Sequence, residues 1–129
     1  MYLLDTNVCI DFALARSAVL RDRIRGAFSK GLAISTVTLA ELRVGARHEA
    51  ADPEDEKRLD TFVRILTLHD FDAEAAETYG RLAGQIGIDR RSFDRLIAAH
   101  AVSLGLTLVT NDDRGFSGVP GLKVENWTR

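Results

Sequence analysis

Acidic residues follow two short apolar segments of this chain. Asp5 comes directly after the apolar residues 2–4, and Asp112 comes shortly after the apolar run 106–109. If both segments are buried strands of one open parallel sheet, their carboxyl ends lie at the edge where such sheets bind ligands. Carboxylates gathered there repel one another unless a cation joins them. The pattern therefore predicts a site for a divalent metal ion.

Asp5 has an ordinary alternative role, because the residue after a strand often caps the next helix. Asn7 can provide that cap, which leaves Asp5 without a structural task, and no basic residue lies near it in the sequence. Asp112 and Asp113 could each form an Asx-turn. Since Asp112 is closer to the strand end, we expect Asp112 to lie in the site and Asp113 to face solvent.

Asp94 lies one turn before Ile97 and Ala98, on the apolar face of a predicted helix. A carboxylate on a buried face is costly unless it is paired or bound to metal. Besides a metal ligand, Asp94 could be the partner of a neighbouring arginine, and the first turn of a helix also favours an anion. We expect Asp94 to belong to the site on grounds of burial.

Glu41 leaves two interpretations open. Its helical spacing with Val37 and Val44 predicts that it points inward. Residues 38–41 also fit a capping box, in which Glu41 would only bind a backbone N–H.

Short apolar segments alternate with helical patterns along the chain, which predicts an α/β fold whose parallel sheet is covered on both faces. The first strand is the most apolar, so we expect it near the centre, where a neighbouring fourth strand would bring Asp5 and Asp112 together. The predicted strands are 2–4, 32–34, 66–68, 106–109 and a less regular 122–124, and the predicted helices are 8–14, 17–30, 35–47, 54–65, 72–86 and 92–104.

Composition limits the class of protein. The 129 residues suit one domain, 1–129, and 46% hydrophobic with 28% charged residues is ordinary for a soluble globular protein. No apolar run approaches the ~20 residues of a membrane helix, and a strand starting at Tyr2 leaves no room for a signal peptide. Cys9 is the one cysteine, which excludes an intrachain disulfide and fits a reducing cytoplasm. The three histidines lack the spacing of zinc ligands.

Several segments, taken together, resemble the PIN-domain ribonucleases, and most closely the VapC toxins of bacterial toxin–antitoxin modules. The matching segments, in order, are 3–7, 34–42, 94–101, 105–116 and the closing 119–127. The resemblance implies a three-layer α/β/α sandwich with a parallel sheet of four or five strands. It also implies metal-dependent cleavage of RNA.

The resemblance assigns roles to individual residues. It implies that Asp5, Glu41 and Asp94 are the near-invariant catalytic and metal-binding acids and that Asp112 is the more variable fourth. Some relatives carry that acid three residues later, where this chain has Gly115. The polar residues expected around the acids are Thr6, Asn7 and Thr110. Candidate contacts to substrate phosphates are Arg43, Arg47, Arg91, Arg95 and Arg114, although ion pairing with surface acids is the alternative for most of them.

The function implied is a cytoplasmic endoribonuclease that uses Mg²⁺, or Mn²⁺ in its place, and cuts single-stranded or structured RNA such as tRNA or ribosomal RNA. The implied partners are a VapB-type antitoxin and a second copy of the toxin, with promoter DNA bound through the antitoxin and no membrane. Two other classes stay open from the residues themselves. One is a non-catalytic module that uses the acidic pocket for binding. The other is a phosphatase of another acidic α/β fold, which would need a phosphate loop that the sequence lacks.

Apolar residues on helices 36–47 and 54–65 exceed what one core-facing stripe requires. Leu42 lies off the Val37/Val44 face, and Phe62 and Val63 are adjacent positions that diverge by about 100°. We expect these helices to form a groove for an amphipathic antitoxin helix. A thicker core or a homodimer interface would explain the same pattern.

Overall fold

A computed structural model describes residues 1–86, 92–116 and 118–129 of the chain. In these residues five strands form one sheet: β1 (Tyr2–Leu4), β2 (Leu32–Ser35), β3 (Thr67–His69), β4 (Thr107–Val109) and β5 (Val124–Glu125). The strand order is β3-β2-β1-β4-β5, and every pair is parallel. The central place predicted for the first strand, with the fourth as its neighbour, is confirmed.

Six α-helices occur in the described residues: α1 (Thr6–Ala13), α2 (Ala18–Ala27), α3 (Thr36–Ala46), α4 (Pro53–Val63), α5 (Ala73–Ile86) and α6 (Phe93–Leu104). Polar side chains begin several of them, and Gly105 ends α6 in the left-handed conformation, with φ 67°. The predicted helix 17–30 is divided, since α2 ends at Ala27 and a 3₁₀ turn covers Phe28–Lys30. None of the described helices is long and apolar enough to cross a membrane.

Neighbouring strand residues face opposite sides of the sheet, and each side has its own core. Leu3, Ala33 and Leu108 belong to a cluster with residues of α5 and α6. Leu4 and Ile34 belong to a second cluster, with residues of α1, α2 and α4. The sheet is therefore the middle layer of an α/β/α sandwich, as predicted. This arrangement explains the continuous apolar runs of the central strands, because a strand buried on both faces needs apolar side chains at successive positions.

The predicted orientation of α3 is wrong. Val44, expected to face inward, is 75% exposed, whereas Leu42 is 2% and Phe62 is 3% exposed. Leu42 and Phe62 pack in one core cluster with Leu59. The surplus apolar residues of α3 and α4 thus form the thicker core that was the alternative, because α4 covers the side of α3 that the sequence alone left unassigned. Leu42 also lines a groove between α1, α3 and α4, whereas Phe62 does not.

Candidate functional site

The candidate site lies where the strand order reverses. From β1 the chain continues outward through β2 and β3, and it returns on the other side of β1 through β4 and β5. Ligands of open α/β sheets bind at the carboxyl edge beside such a switch point. Because Leu4 pairs with Val109, Asp5 and Thr110 follow their strands side by side at this edge.

Asp5 is buried, with 5% of its surface exposed, and both of its carboxylate oxygens are used. Oδ1 accepts a hydrogen bond from the Val8 amide at 2.9 Å, and Oδ2 accepts one from the Thr110 hydroxyl. Asp5 is therefore the N-cap of α1, and the prediction that Asn7 caps this helix is wrong. The helix already begins at Thr6, so Asn7 lies within its first turn and is exposed.

Burial raises the pKa of Asp5 to about 6, and the nearby charges of Asp94 and Glu41 add to this effect. The hydrogen bonds from Thr110 and Val8 favour the ionised form but do not compensate for the lost hydration. Among the ion pairs of the described residues, none includes Asp5 or Glu41. The site thus holds a buried carboxyl group that forms no ion pair with the cationic side chains of residues 1–86, 92–116 and 118–129.

Glu41 is half-buried, and its Oε1 accepts a hydrogen bond from the Thr6 hydroxyl at 2.8 Å. The capping-box interpretation is excluded, because the N-cap of α3 is Ser35, which accepts from the Val37 amide at 3.0 Å. Burial raises the pKa of Glu41 and the charge of Asp94 raises it further, while the Thr6 hydrogen bond opposes both. Glu41 therefore faces the same edge as Asp5.

Asp94 lies in the first turn of α6 and is exposed, so the expectation of a buried face is wrong for this residue. Partial burial of its carboxyl group still raises its pKa, the charge of Asp112 adds to that, and Arg95 opposes it. The charge of Asp94 also acts on Asp5 and Glu41. We call these four acids, Asp5, Glu41, Asp94 and Asp112, the acidic edge.

Asp112 is exposed, and its Oδ1 accepts a hydrogen bond from the Gly115 amide at 3.1 Å. A Cβ atom at position 115 would collide with the Asp112 carboxylate, so the glycine leaves room for it. Asp113 forms a surface ion pair with Arg129, and 37% of its side chain is exposed, as expected of an acid that faces solvent. Asp113 has a structural partner, whereas the carboxylate of Asp112 acts on Asp94.

Two of the predicted arginines are taken up by ion pairs. Arg43 Nη1 lies 2.6 Å from Asp60 Oδ1 and 3.7 Å from Glu56 Oε2, both on α4. Arg47 Nε lies 3.2 Å from the same Glu56 oxygen. The alternative expected for these arginines, pairing with surface acids, is therefore what the structure shows for Arg43 and Arg47.

The other predicted arginines differ in their surroundings. Arg95 is half-buried, and its Nη1 is enclosed without a hydrogen-bond partner in the described part of the chain. Arg114 is exposed. Arg91 lies outside the described residues. The charge of Arg95 acts on the acidic edge through Asp94.

The donor chemistry of the acidic edge fits a hard divalent cation. Every candidate ligand is a carboxylate oxygen, which is what Mg²⁺ and Mn²⁺ prefer. In the described residues no three His, Cys, Asp or Glu side chains are grouped closely enough to hold an ion by themselves. Mg²⁺ usually keeps several waters and takes only one or two carboxylates, so a wider group suits it.

The sequence analysis missed Asp11, which also reaches the loop after β4. Asp11 Oδ2 accepts a hydrogen bond from Asn111 Nδ2 at 2.5 Å. One signal in the sequence could have indicated Asp11, because it is the one charged residue in α1. A lone charge in an otherwise apolar helix needs a partner if it is partly buried.

The sequence matches a family model described as the PIN domain over residues 2–122. The chain belongs to the PIN-domain family. It is 36% identical, over 98% of each chain, to a protein of Shigella flexneri named tRNA(fMet)-specific endonuclease VapC. It is 33% identical to Ribonuclease VapC2 of Rickettsia felis, over 100% of this chain and 99% of that one.

A solved structure shares the PIN fold at full length. It is the crystal structure of VapBC2 from Rickettsia felis bound to a DNA fragment from their promoter. One of its chains matches with a TM-score of 0.87 and 32% identity, over 98% of both chains. The three-layer PIN-like architecture is thus confirmed by an experimental relative.

Proposed function

We propose that this PIN-domain protein is the toxin of a VapBC-type toxin–antitoxin pair and acts as a divalent-metal-dependent endoribonuclease. The observation that carries the proposal is the acidic edge. It places the buried Asp5, which has no ion pair in the described part of the chain, near enough to Glu41 and Asp94 for their charges to act on it at the switch point of the sheet. Such a concentration of negative charge costs stability unless a cation binds, which is typical of a functional site rather than a structural one.

Asp5, Glu41, Asp94 and Asp112 are the proposed ligands of Mg²⁺ or Mn²⁺. A divalent cation bound there would lower the pKa of a water molecule and neutralise charge on the scissile phosphate. The side chains around the acids fix their orientation. Val8 and Thr110 hold the two oxygens of Asp5, and Thr6 holds one oxygen of Glu41. Preorganised ligands of this kind avoid reorganisation when substrate binds.

RNA is the proposed substrate, and the first candidate is initiator tRNA. The Shigella flexneri relative is named as specific for tRNA(fMet), and the present chain matches it over nearly its whole length. The chain has a formal net charge of −2, so the phosphate backbone must be bound by local cations such as Arg95 rather than by a general basic surface.

The decisive experiment is cleavage of transcribed initiator tRNA by the purified protein. We expect cleavage with Mg²⁺ or Mn²⁺ and none with EDTA. An elongator methionine tRNA tests specificity, and total RNA allows other cleavage sites to be mapped. Asp94→Asn should be inactive, while Asp22→Asn, which changes an exposed acid of α2, should cleave normally. Cleavage that persists in EDTA, or in Asp94→Asn, would refute the proposal.

The proposed antitoxin contact is a groove between α1, α3 and α4. Its volume is about 410 Å³, and its apolar lining includes Ile10, Leu14, Ala46 and Leu59. Such a groove suits the apolar face of a helix. A glutamate at the half-buried Ala46 should weaken antitoxin binding, whereas Val19→Glu, at an exposed apolar position of α2, should not. Equal affinity of a folded Ala46→Glu variant would exclude this groove.

Two further partner statements are part of the proposal. The toxin forms a homodimer within the toxin–antitoxin assembly, and promoter DNA is bound through the antitoxin. The net charge of −2 supports the second statement, because it gives the toxin no general basic surface for a long DNA duplex. Light scattering tests the dimer. A gel-shift assay with toxin alone and with the complex tests the DNA contact, and a shift by toxin alone would contradict it.

A further inference from the structure

Asp11 connects α1 to the loop that carries Asp112. Its side chain is 25% exposed, and its Oδ2 accepts the hydrogen bond from Asn111 Nδ2 at 2.5 Å. Asn111 directly precedes Asp112, the fourth acid of the acidic edge. The contact spans one hundred positions of sequence and joins the last turns of α1 to the segment after β4.

The end of α1 orients the Asp11 carboxylate from its other side. Ala15 adopts a left-handed conformation with φ 56°, and the Arg16 amide then donates to the Asp11 carbonyl at 2.8 Å. This is the hydrogen bond of a Schellman turn. The turn leaves Arg16 Nη1 3.4 Å from Asp11 Oδ1. One carboxylate oxygen therefore faces Arg16 and the other faces Asn111.

The loop after β4 depends on side chains for its position, because residues 110–112 lie outside regular helix and strand. The Thr110 hydroxyl binds Asp5 and accepts from the Asp112 amide at 3.0 Å. Asn126 Nδ2 lies 3.4 Å from the Asn111 carbonyl. The Asn111 side chain donates to the charged carboxylate of Asp11, and hydrogen bonds to charged groups are the stronger ones.

We propose that Asp11 is a positioning residue, which acts through Asn111 to hold Asp112 at the acidic edge. The proposal rests on the proposed function, since it explains how that site keeps Asp112, an exposed ligand on a loop, in place. Asp11 does not bind the metal in this scheme. Its carboxylate fixes Asn111, and the backbone of Asn111 fixes the direction in which Asp112 leaves β4.

The expected effects follow from losing one charge-assisted hydrogen bond. Asp11→Ala should weaken Mn²⁺ binding and lower kcat, each by about tenfold, with KM for RNA unchanged. Asp11→Asn keeps the shape and one acceptor oxygen, so it should recover most of both losses. Asp22→Asn is the matched control, because it removes an aspartate from a surface ion pair with Arg21.

The test is a double-mutant cycle between positions 11 and 112. Mn²⁺ binding is measured by electron paramagnetic resonance in the wild type, Asp11→Ala, Asp112→Ala and the double variant, with cleavage rates in parallel. We expect Asp11→Ala to have no further effect once Asp112 is absent. An equal loss of Mn²⁺ affinity with and without Asp112 would overturn the proposal, because Asp11 would then act on the metal or the fold directly.

Two additional outcomes are decisive. If Asp11→Ala does not fold, Asn111→Ala removes the same hydrogen bond from the other side and should show the same dependence on Asp112. Wild-type protein that binds Mn²⁺ without cleaving RNA refutes the proposed function, while the Mn²⁺ cycle still decides the role of Asp11. Wild-type protein that binds no Mn²⁺ overturns both.

Discussion

The carboxylates of the acidic edge have different partners from the carboxylates on the surface that α3 and α4 share. On α4, Glu56 and Asp60 lie within ion-pair distance of Arg43, and Glu56 also binds Arg47. At the acidic edge, the partners of Asp5 and Glu41 that the structure describes are hydroxyl and amide donors. The first arrangement compensates each charge within the protein. The second leaves Asp5 and Glu41 without an ion pair among the described residues, which is the basis of the proposed metal site.

The difference separates a stabilising role from a functional one. Ion pairs on a helical surface contribute modestly to stability. A buried carboxylate that lacks a cation opposes folding whenever it is ionised. Proteins keep such groups mainly at functional sites. The following predictions are ordered by expected size, and each tests whether the two regions differ in this way.

Asp5→Asn should lower RNA cleavage by roughly 1,000-fold, because a lost metal ligand removes several kcal/mol of transition-state stabilisation. The amide keeps the shape, so the variant should still fold. In metal-free buffer it should be more stable than the wild type, since no buried charge remains. Cleavage rates and urea unfolding in EDTA measure both effects. An active Asp5→Asn protein would exclude Asp5 from the site.

The stability of the metal-free protein should depend on pH. Asp5 has a folded pKa of about 6 against an ordinary value of 3.8, so the folded state binds the proton more tightly. The free energy of unfolding should therefore fall as pH rises from about 4 to about 6, by about 3 kcal/mol for Asp5 alone. Glu41 and Asp94, whose pKa values are also raised, act in the same direction.

Urea unfolding in EDTA at several pH values measures this dependence. Asp5→Asn is the control and should show a shallower slope, because Glu41 and Asp94 still titrate. Added Mg²⁺ should restore stability above pH 6, where the acids are ionised. A wild-type protein that becomes more stable between pH 4 and pH 6 in EDTA would contradict the assignment of Asp5 as an uncompensated buried acid.

Asp112→Ala should reduce cleavage by about tenfold, whereas Asp113→Ala should leave the rate nearly unchanged. Asp112 acts on Asp94, while Asp113 forms an ion pair with Arg129. Asp113→Ala should instead cost a few tenths of a kcal/mol in stability, as for a surface ion pair. The reverse ranking of the two cleavage rates would show that the acid after Thr110 has been misassigned.

The strand ends and the order of elements could be predicted because they depend on local signals. Apolar runs bounded by polar residues gave the strands, and Asp5 and Asp112 were placed by following those strands to their carboxyl ends. The same information could not decide which face of α3 is buried. Both Val37/Val44 and Leu42/Ala46 have helical spacing, and the choice depends on α4, which packs on Leu42.

Long-range contacts account for the remaining differences between the predictions from the sequence and the structure. Asp11 and Asn111 are far apart in the sequence, and no sequence motif indicates that they form a hydrogen bond. Capping was also misjudged, because Asp5 uses one oxygen for Val8 and the other for Thr110. A carboxylate has two oxygens, so a structural hydrogen bond and a place in the site do not exclude each other.

The smallest effect is expected for the ion pairs between α3 and α4. Arg43→Gln removes the cation that joins Asp60 and Glu56, and the loss of stability should not exceed about 1 kcal/mol, since all three side chains are partly exposed. Cleavage should not change, because Arg43 is bound to α4 rather than to the acidic edge. Thermal unfolding at low and high salt measures the first expectation, with a smaller salt effect in the variant. If folded Arg43→Gln protein instead loses most of its cleavage activity, Arg43 must leave Asp60 and Glu56 to bind substrate phosphate. Arg43 would then have a functional role, and the assignment of its ion pairs to stability alone would be wrong.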